Sequence, residues 1–119
     1  MSSLLNLAAE QARSAEEAGE EAVGAVLAKG DESIAVSHHR VKSDNDPVAH
    51  ATMDCVRRAG RRIDYPELTL FLTSAPCMMC AGAILQFGIG RVVIGTQPSN
   101  NEIIDLLRKK DVSVEVIKL

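Results

Sequence analysis

Leu68-Thr69-Leu70-Phe71-Leu72-Thr73 is the segment that most limits the folds open to this chain. It is apolar almost throughout and lacks the alternation of a strand with one wet face. At this length it reads as a strand covered on both sides. Such a strand needs helices on both faces of its sheet, and the rest of the chain can supply them. Residues 4–18 place Leu5, Ala8, Ala12 and Ala15 on one helical face, with Glu16 and Glu17 outside. Residues 20–28 (EEAVGAVLA) and 33–38 read as strands joined by the turn Lys29-Gly30-Asp31-Glu32, a hairpin. The polar stretch 40–49, with Asp44, Asn45, Asp46 and Pro47, reads as a loop. Helices are predicted over 50–60, 77–87 and 101–110. Gly60 is the stop of the first, and Ile103, Ile104 and Leu107 turn inward on the last. Strands are predicted over 91–95 and 112–117. The order αββαβαβαβ implies an α/β fold, a mixed sheet whose later, helix-connected strands run parallel.

The 119 residues suit one domain, 1–119, with a real core. The balance of 13 basic and 16 acidic residues gives −3, which weighs against nucleic acid as a partner. Tyr65, Phe71 and Phe87 are the only aromatics, few for a base-stacking platform. No apolar run reaches the length of a membrane span, and no basic n-region marks a signal peptide. Three cysteines cannot all pair in one chain, and two sit in Cys-x-x-Cys. A cytoplasmic protein with reduced thiols is the expectation.

His50 opens one predicted helix, and Cys77 and Cys80 lie in the first turn of another. Zinc prefers tetrahedral thiolate and imidazole donors, and three protein ligands with a fourth, open position make the catalytic form of such a site. A helix N-terminus favours thiolate over thiol. Each piece alone is weak, since Cys-x-x-Cys also serves thiol redox chemistry and purely structural sites. Together, in this order, His50, Cys77 and Cys80 point to Zn2+, with a thiol-redox pair as the alternative.

The segments DPVAHATMDCVRRAG, LTLFLTSAPCMMCAGAI and FGIGRVVIG resemble the zinc-dependent cytosine, guanine and tRNA-adenosine deaminases of the cytidine/deoxycytidylate deaminase superfamily. The likeness runs over about residues 4–117 and looks nearest to the cytosine deaminase-like and guanine deaminase-like members. It implies a three-layer α/β/α sandwich around a five-stranded sheet (the cytidine deaminase-like fold), commonly a homodimer, with zinc on His50, Cys77 and Cys80. It implies hydrolytic deamination of a free nucleobase or related small-molecule amino-heterocycle. The backbone amide of Ala51 is then a contact to the base.

Two positions depart from the family pattern. Its His-x-Glu reads His50-Ala51-Thr52 here, so Thr52 stands where a glutamate moves protons. A hydroxyl has no useful pKa near neutrality, and losing a positioned acid/base typically costs about 10²–10⁴ in rate. A catalytically silent zinc-binding member, acting as a binding or partner subunit, is therefore the alternative function. The family's His-Asn after the second strand reads His38-His39. His39 is thus a candidate substrate contact, against the plainer expectation of an exposed loop histidine. Asp54 reads as a helix-surface residue, Asp44 and Asp46 as caps of the ligand helix, and Arg57, Arg58, Arg61 and Arg62 as a solvated helix end. Cys55 reads as a buried small hydrophobe, and Met78 and Met79 as packing into the core or a dimer interface.

Overall fold

The doubly covered strand forms over Thr69–Leu72 (β3) and lies at the centre of the sheet. The structure is a computed structural model that describes residues 2–95 and 101–118. Before β3 come helix α1 (Ser2–Glu17), strands β1 (Gly24–Lys29) and β2 (Glu32–His38), and helix α2 (Ala51–Ala59). After it come α3 (Met78–Phe87), β4 (Arg91–Ile94), α4 (Glu102–Lys109) and β5 (Ser113–Val116). The strand order is β2-β1-β3-β4-β5. β1 runs antiparallel to β2 and β3, while β3, β4 and β5 are parallel, as their helical connections require.

Alternate residues of the central strands face opposite layers. Val26, Ala28, Phe71 and Val93 pack under Leu4, Leu5 and Ala8 of α1. Ala25, Leu27, Leu70, Leu72, Val92 and Ile94 pack on the other face, against Cys55 and Val56 of α2, Ile84 of α3, and Ile104 and Leu107 of α4. This is the expected α/β/α sandwich on a mixed five-stranded sheet. α1 lies so close to β1 that a Cβ on Gly24 would run into the Ala8 carbonyl.

The predicted first strand begins four residues too early. α1 ends through Gly19, at φ 79°, with the Glu20 amide donating to the Ala15 carbonyl at 2.9 Å. Residues 20–23 therefore link the helix to the strand. Glu20 is buried and accepts from the Lys42 and Ser43 amides and the Ser43 hydroxyl. It pins the loop that was read only as polar. A short 3₁₀ turn at Tyr65–Glu67 was not anticipated. The Tyr65 hydroxyl donates to the Gly60 carbonyl at 2.6 Å and so secures the end of α2, where Gly60 sits at φ 75° as expected.

Asp54 is not on the helix surface. It is 4% exposed, accepts from the Ser37 hydroxyl and from Arg58 at 2.6 Å, and lies 3.4 Å from Arg40 and 3.5 Å from Arg57. Two of the four arginines expected at a solvated helix end are thus tied to a buried carboxylate, and Arg62 pairs with Asp64. Asp46 does not cap α2 either. It accepts from the Val48 amide, and His50 holds the N-cap position. Cys55 is fully buried as expected, and burial pushes its thiol up to about 12. Met78 is exposed and so does not pack into the core, one of the two places expected for it.

The Asp54 network joins the end of β2 to α2, so its loss destabilises the fold. Asp54→Ala is expected to cost about 1–3 kcal/mol. This is less than for a fully buried pair, because water screens the half-exposed arginines. The urea midpoint reads this, and an unchanged midpoint would show that the network contributes nothing.

Acid should act on the same region. The Ser43 hydroxyl, more than burial opposes, holds Glu20 below its ordinary 4.5. Burial raises the Asp54 carboxyl, but Ser37, Arg58 and Arg40 outweigh it and leave it below 3.8. Both contributions are complete above those ordinary values and fade as pH falls through the lowered folded ones. Melting temperature is therefore expected to drop below about pH 4.5. Ser43→Ala should flatten the upper part of that decline.

Candidate metal centre

The C-terminal end of β3 and the neighbouring ends of the antiparallel strands assemble one site. Open α/β sheets bind ligands at this edge, where strands end and helices begin. β2 leaves it through His39, β1 enters it through Glu21 and Val23, and β3 leaves it through Ser74-Ala75-Pro76 into α3. His50 is the N-cap of α2 and Cys77 the N-cap of α3, both with extended backbone and neither making a side-chain cap. Residues such as Ser or Asp usually turn inward at this position to satisfy helix amides. His50 and Cys77 instead direct their side chains to each other. Cys80 follows within the first turn of α3.

The three donor atoms lie within 4.8 Å of one another. His50 Nδ1 is 3.5 Å from Cys77 Sγ and 3.6 Å from Cys80 Sγ. A tetrahedral zinc ion with ordinary Zn–N and Zn–S bonds sets those atoms about 3.6 Å apart. The donor set therefore fits zinc, with Nδ1 as the imidazole ligand. Burial, with the neighbouring Cys77 adding to it, pushes the Cys80 thiol up to about 12. A bound cation would reverse that preference outright. The two helix N-termini act in the same direction.

Thr52 is 3% exposed and lines the same cleft as His50, Cys77 and Cys80. Its hydroxyl draws the Cys80 thiol down against the larger effect of burial, a neighbour the sequence did not reveal. Ala51 is buried at the first helical position, where its amide has no intrahelical acceptor. His39 is not an exposed loop residue. It is 7% exposed, and its ring packs against that of His50, with centroids 5.1 Å apart. These residues line a cleft of about 170 Å³ together with Leu72, Ser74 and Pro76.

Sequence reasoning missed Glu21. It also lines the cleft, and its Oε2 lies 3.5 Å from His39 Nε2. Reading residues 20–28 as continuous strand hid it, because the strand starts at Gly24.

Residues 1–96 match the family described as the cytidine and deoxycytidylate deaminase zinc-binding region. The chain belongs to this family. The family's chemistry is hydrolytic cleavage of a C–N bond, and the zinc expected from His50, Cys77 and Cys80 is the family's metal. A tRNA-specific adenosine deaminase of Buchnera aphidicola subsp. Schizaphis graminum is 37% identical over 118 residues, covering 97% of this chain and 78% of that protein. A solved structure from a study of A-to-I editing by tRNA:A34 deaminases at the wobble position superposes with a TM-score of 0.81. It is 30% identical and covers 99% of this chain and 98% of that one. A guanine deaminase of Bacillus subtilis superposes at 0.73 and 29% identity, over 82% of this chain and 64% of that one.

These relatives correct the expectation drawn from net charge. Nucleic acid was argued against on the −3 balance, yet the similar proteins named here include enzymes of tRNA. An overall charge averages over the surface and is blind to a single base entering a pocket, the way enzymes reach one nucleotide. The nearer likeness to cytosine and guanine deaminases is not supported either. Among the described residues, no helix is long and apolar enough to cross a membrane.

Proposed function

We propose that this chain is a zinc-dependent hydrolytic deaminase of an amino-substituted base, with adenosine presented by RNA as the first substrate to test. The convergence of His50, Cys77 and Cys80 at zinc-ligand spacing in the lining of one cleft carries this reading. The names of the tRNA-specific relatives supply the substrate. Zinc, when bound, supplies Lewis acidity and lowers the pKa of water toward neutrality. The chain's own residues do the rest. His50, Cys77 and Cys80 hold the ion, and Thr52 steadies the Cys80 sulfur. The Ala51 amide, at the first helical position, bonds the base, and His39 closes one side of the cleft. Free cytosine, guanine and related amino-heterocycles remain substrates to compare. A cytoplasmic homodimer of this single domain is the expected form, in keeping with three unpaired cysteines.

One observation favours a second reading. Thr52, beside Cys80 in the cleft, offers no carboxylate, as a silent zinc-binding subunit would. Inosine formation in a tRNA anticodon stem-loop, beside ammonia release from free bases, separates the two. Turnover of any of these by the zinc-loaded chain supports the enzyme. If neither the chain nor its Thr52→Glu variant turns over any of them, the silent subunit stands.

A further inference from the structure

We propose that Glu21 is the carboxylate that moves protons in this cleft, in place of the one missing at Thr52. The inference rests on the deaminase reading above. Among the described residues lining the cleft, Glu21 is the only one with a carboxylate. It reaches the cleft from the link before β1, far in sequence from the ligand helix. His39 is its neighbour there. The His39 amide donates to the Val23 carbonyl at 3.1 Å, its ring packs on His50, and its Nε2 lies 3.5 Å from Glu21 Oε2. The Glu21 side chain is 76% exposed, so beyond this one contact its oxygens are free to meet a substrate proton directly or through one water.

The other nearby carboxylates are committed elsewhere. Asp54 is held by Ser37 and Arg58, and Glu20 by Lys42 and Ser43. Neither lines the cleft.

The step balances with water alone. As the water oxygen bonds to the amine-bearing ring carbon, the Glu21 carboxylate takes one water proton and delivers it to the adjacent ring nitrogen. It then takes the remaining proton from that oxygen and gives it to the amine. The C–N bond breaks, ammonia leaves, a carbonyl remains, and the carboxylate is ionised again.

The test is Glu21→Gln made in two zinc-loaded backgrounds, the chain itself and its Thr52→Glu variant. Each is measured for turnover of the stem-loop and free bases, for equilibrium binding of the same compounds and for zinc content. The expected result has three parts. Glu21→Gln slows the chain at least about 100-fold. Binding and zinc content stay within a few fold. The Thr52→Glu background is indifferent to the same change, because a nearer carboxylate has taken over the work. An unchanged rate in Glu21→Gln overturns the proposal and leaves Glu21 a solvated rim charge. An inert chain whose Thr52→Glu variant is active also overturns it, and makes the chain a silent member with an intact pocket; only the unchanged rate in Glu21→Gln overturns the proposal and leaves the deaminase reading standing. Inactivity of both backgrounds with zinc in place removes the deaminase reading, and the role of Glu21 with it.

Discussion

Zinc-loaded chain carrying Thr52→Glu is expected to release ammonia from its substrate about 10²–10⁴ times faster than the chain as it stands. Position 52 is buried in the first turn of α2, two residues from His50, and lines the cleft together with Cys80. A carboxylate there would lie beside the ion and the reacting carbon. The Glu21 carboxylate, by contrast, must work from the rim. The substitution also removes the hydroxyl that lowers the Cys80 thiol, and Thr52→Val controls for that loss. Such outer partners of metal ligands typically contribute about 10–100-fold to metal affinity, so Thr52→Val should weaken zinc binding. It should add no rate. Steady-state kinetics with zinc content measured on the same samples distinguishes the two. A Thr52→Glu chain with full zinc and no gain in rate would mean that position 52 does not face the reacting atoms.

Cys80→Ala is expected to abolish stoichiometric zinc and to lower the melting temperature of protein purified with metal by on the order of 10 °C. The ion binds only where α2, α3 and the β3 exit meet, so its binding free energy stabilises the folded chain. Cys80 is the most buried of the three ligands, and its removal leaves only His50 and Cys77. Without metal the exposed Cys77 should be alkylated readily, while Cys55, fully buried and with its thiol near 12, should not. Added zinc should protect Cys77 in the parent chain and not in Cys80→Ala. Equal zinc content in the two proteins would show that the metal sits elsewhere.

The sequence and the structure agree most closely where a signal was local. The apolar run at Leu68–Thr73, the face Leu5-Ala8-Ala12-Ala15 and the stop at Gly60 each carry their outcome in a few neighbouring residues. Each element formed within a few residues of its predicted bounds. The metal donors were legible for the same reason. Cys77 and Cys80 share one helical turn, and His50 opens a helix in a pattern specific enough to name a family. Disagreement begins where a side chain's fate depends on distant partners. Asp54 looked like a surface acid because its helix is amphipathic, yet Ser37 and Arg40 come from the end of another strand to bury it. His39 looked like a loop residue because the loop is polar, yet the antiparallel return of β2 delivers it onto His50.

The sequence by itself determined the order of elements, the doubly covered sheet and a thiolate–imidazole donor set suited to zinc, since periodicity and donor chemistry are properties of short segments. Only the tertiary structure decided what surrounds those donors. The antiparallel placement of β1 and β2 brings Glu21 and His39 to the β3 exit, and the packing of α2 fixes Thr52 against Cys80. These contacts join residues tens of positions apart. Their geometry follows from how layers pack, which no local pattern of residues contains.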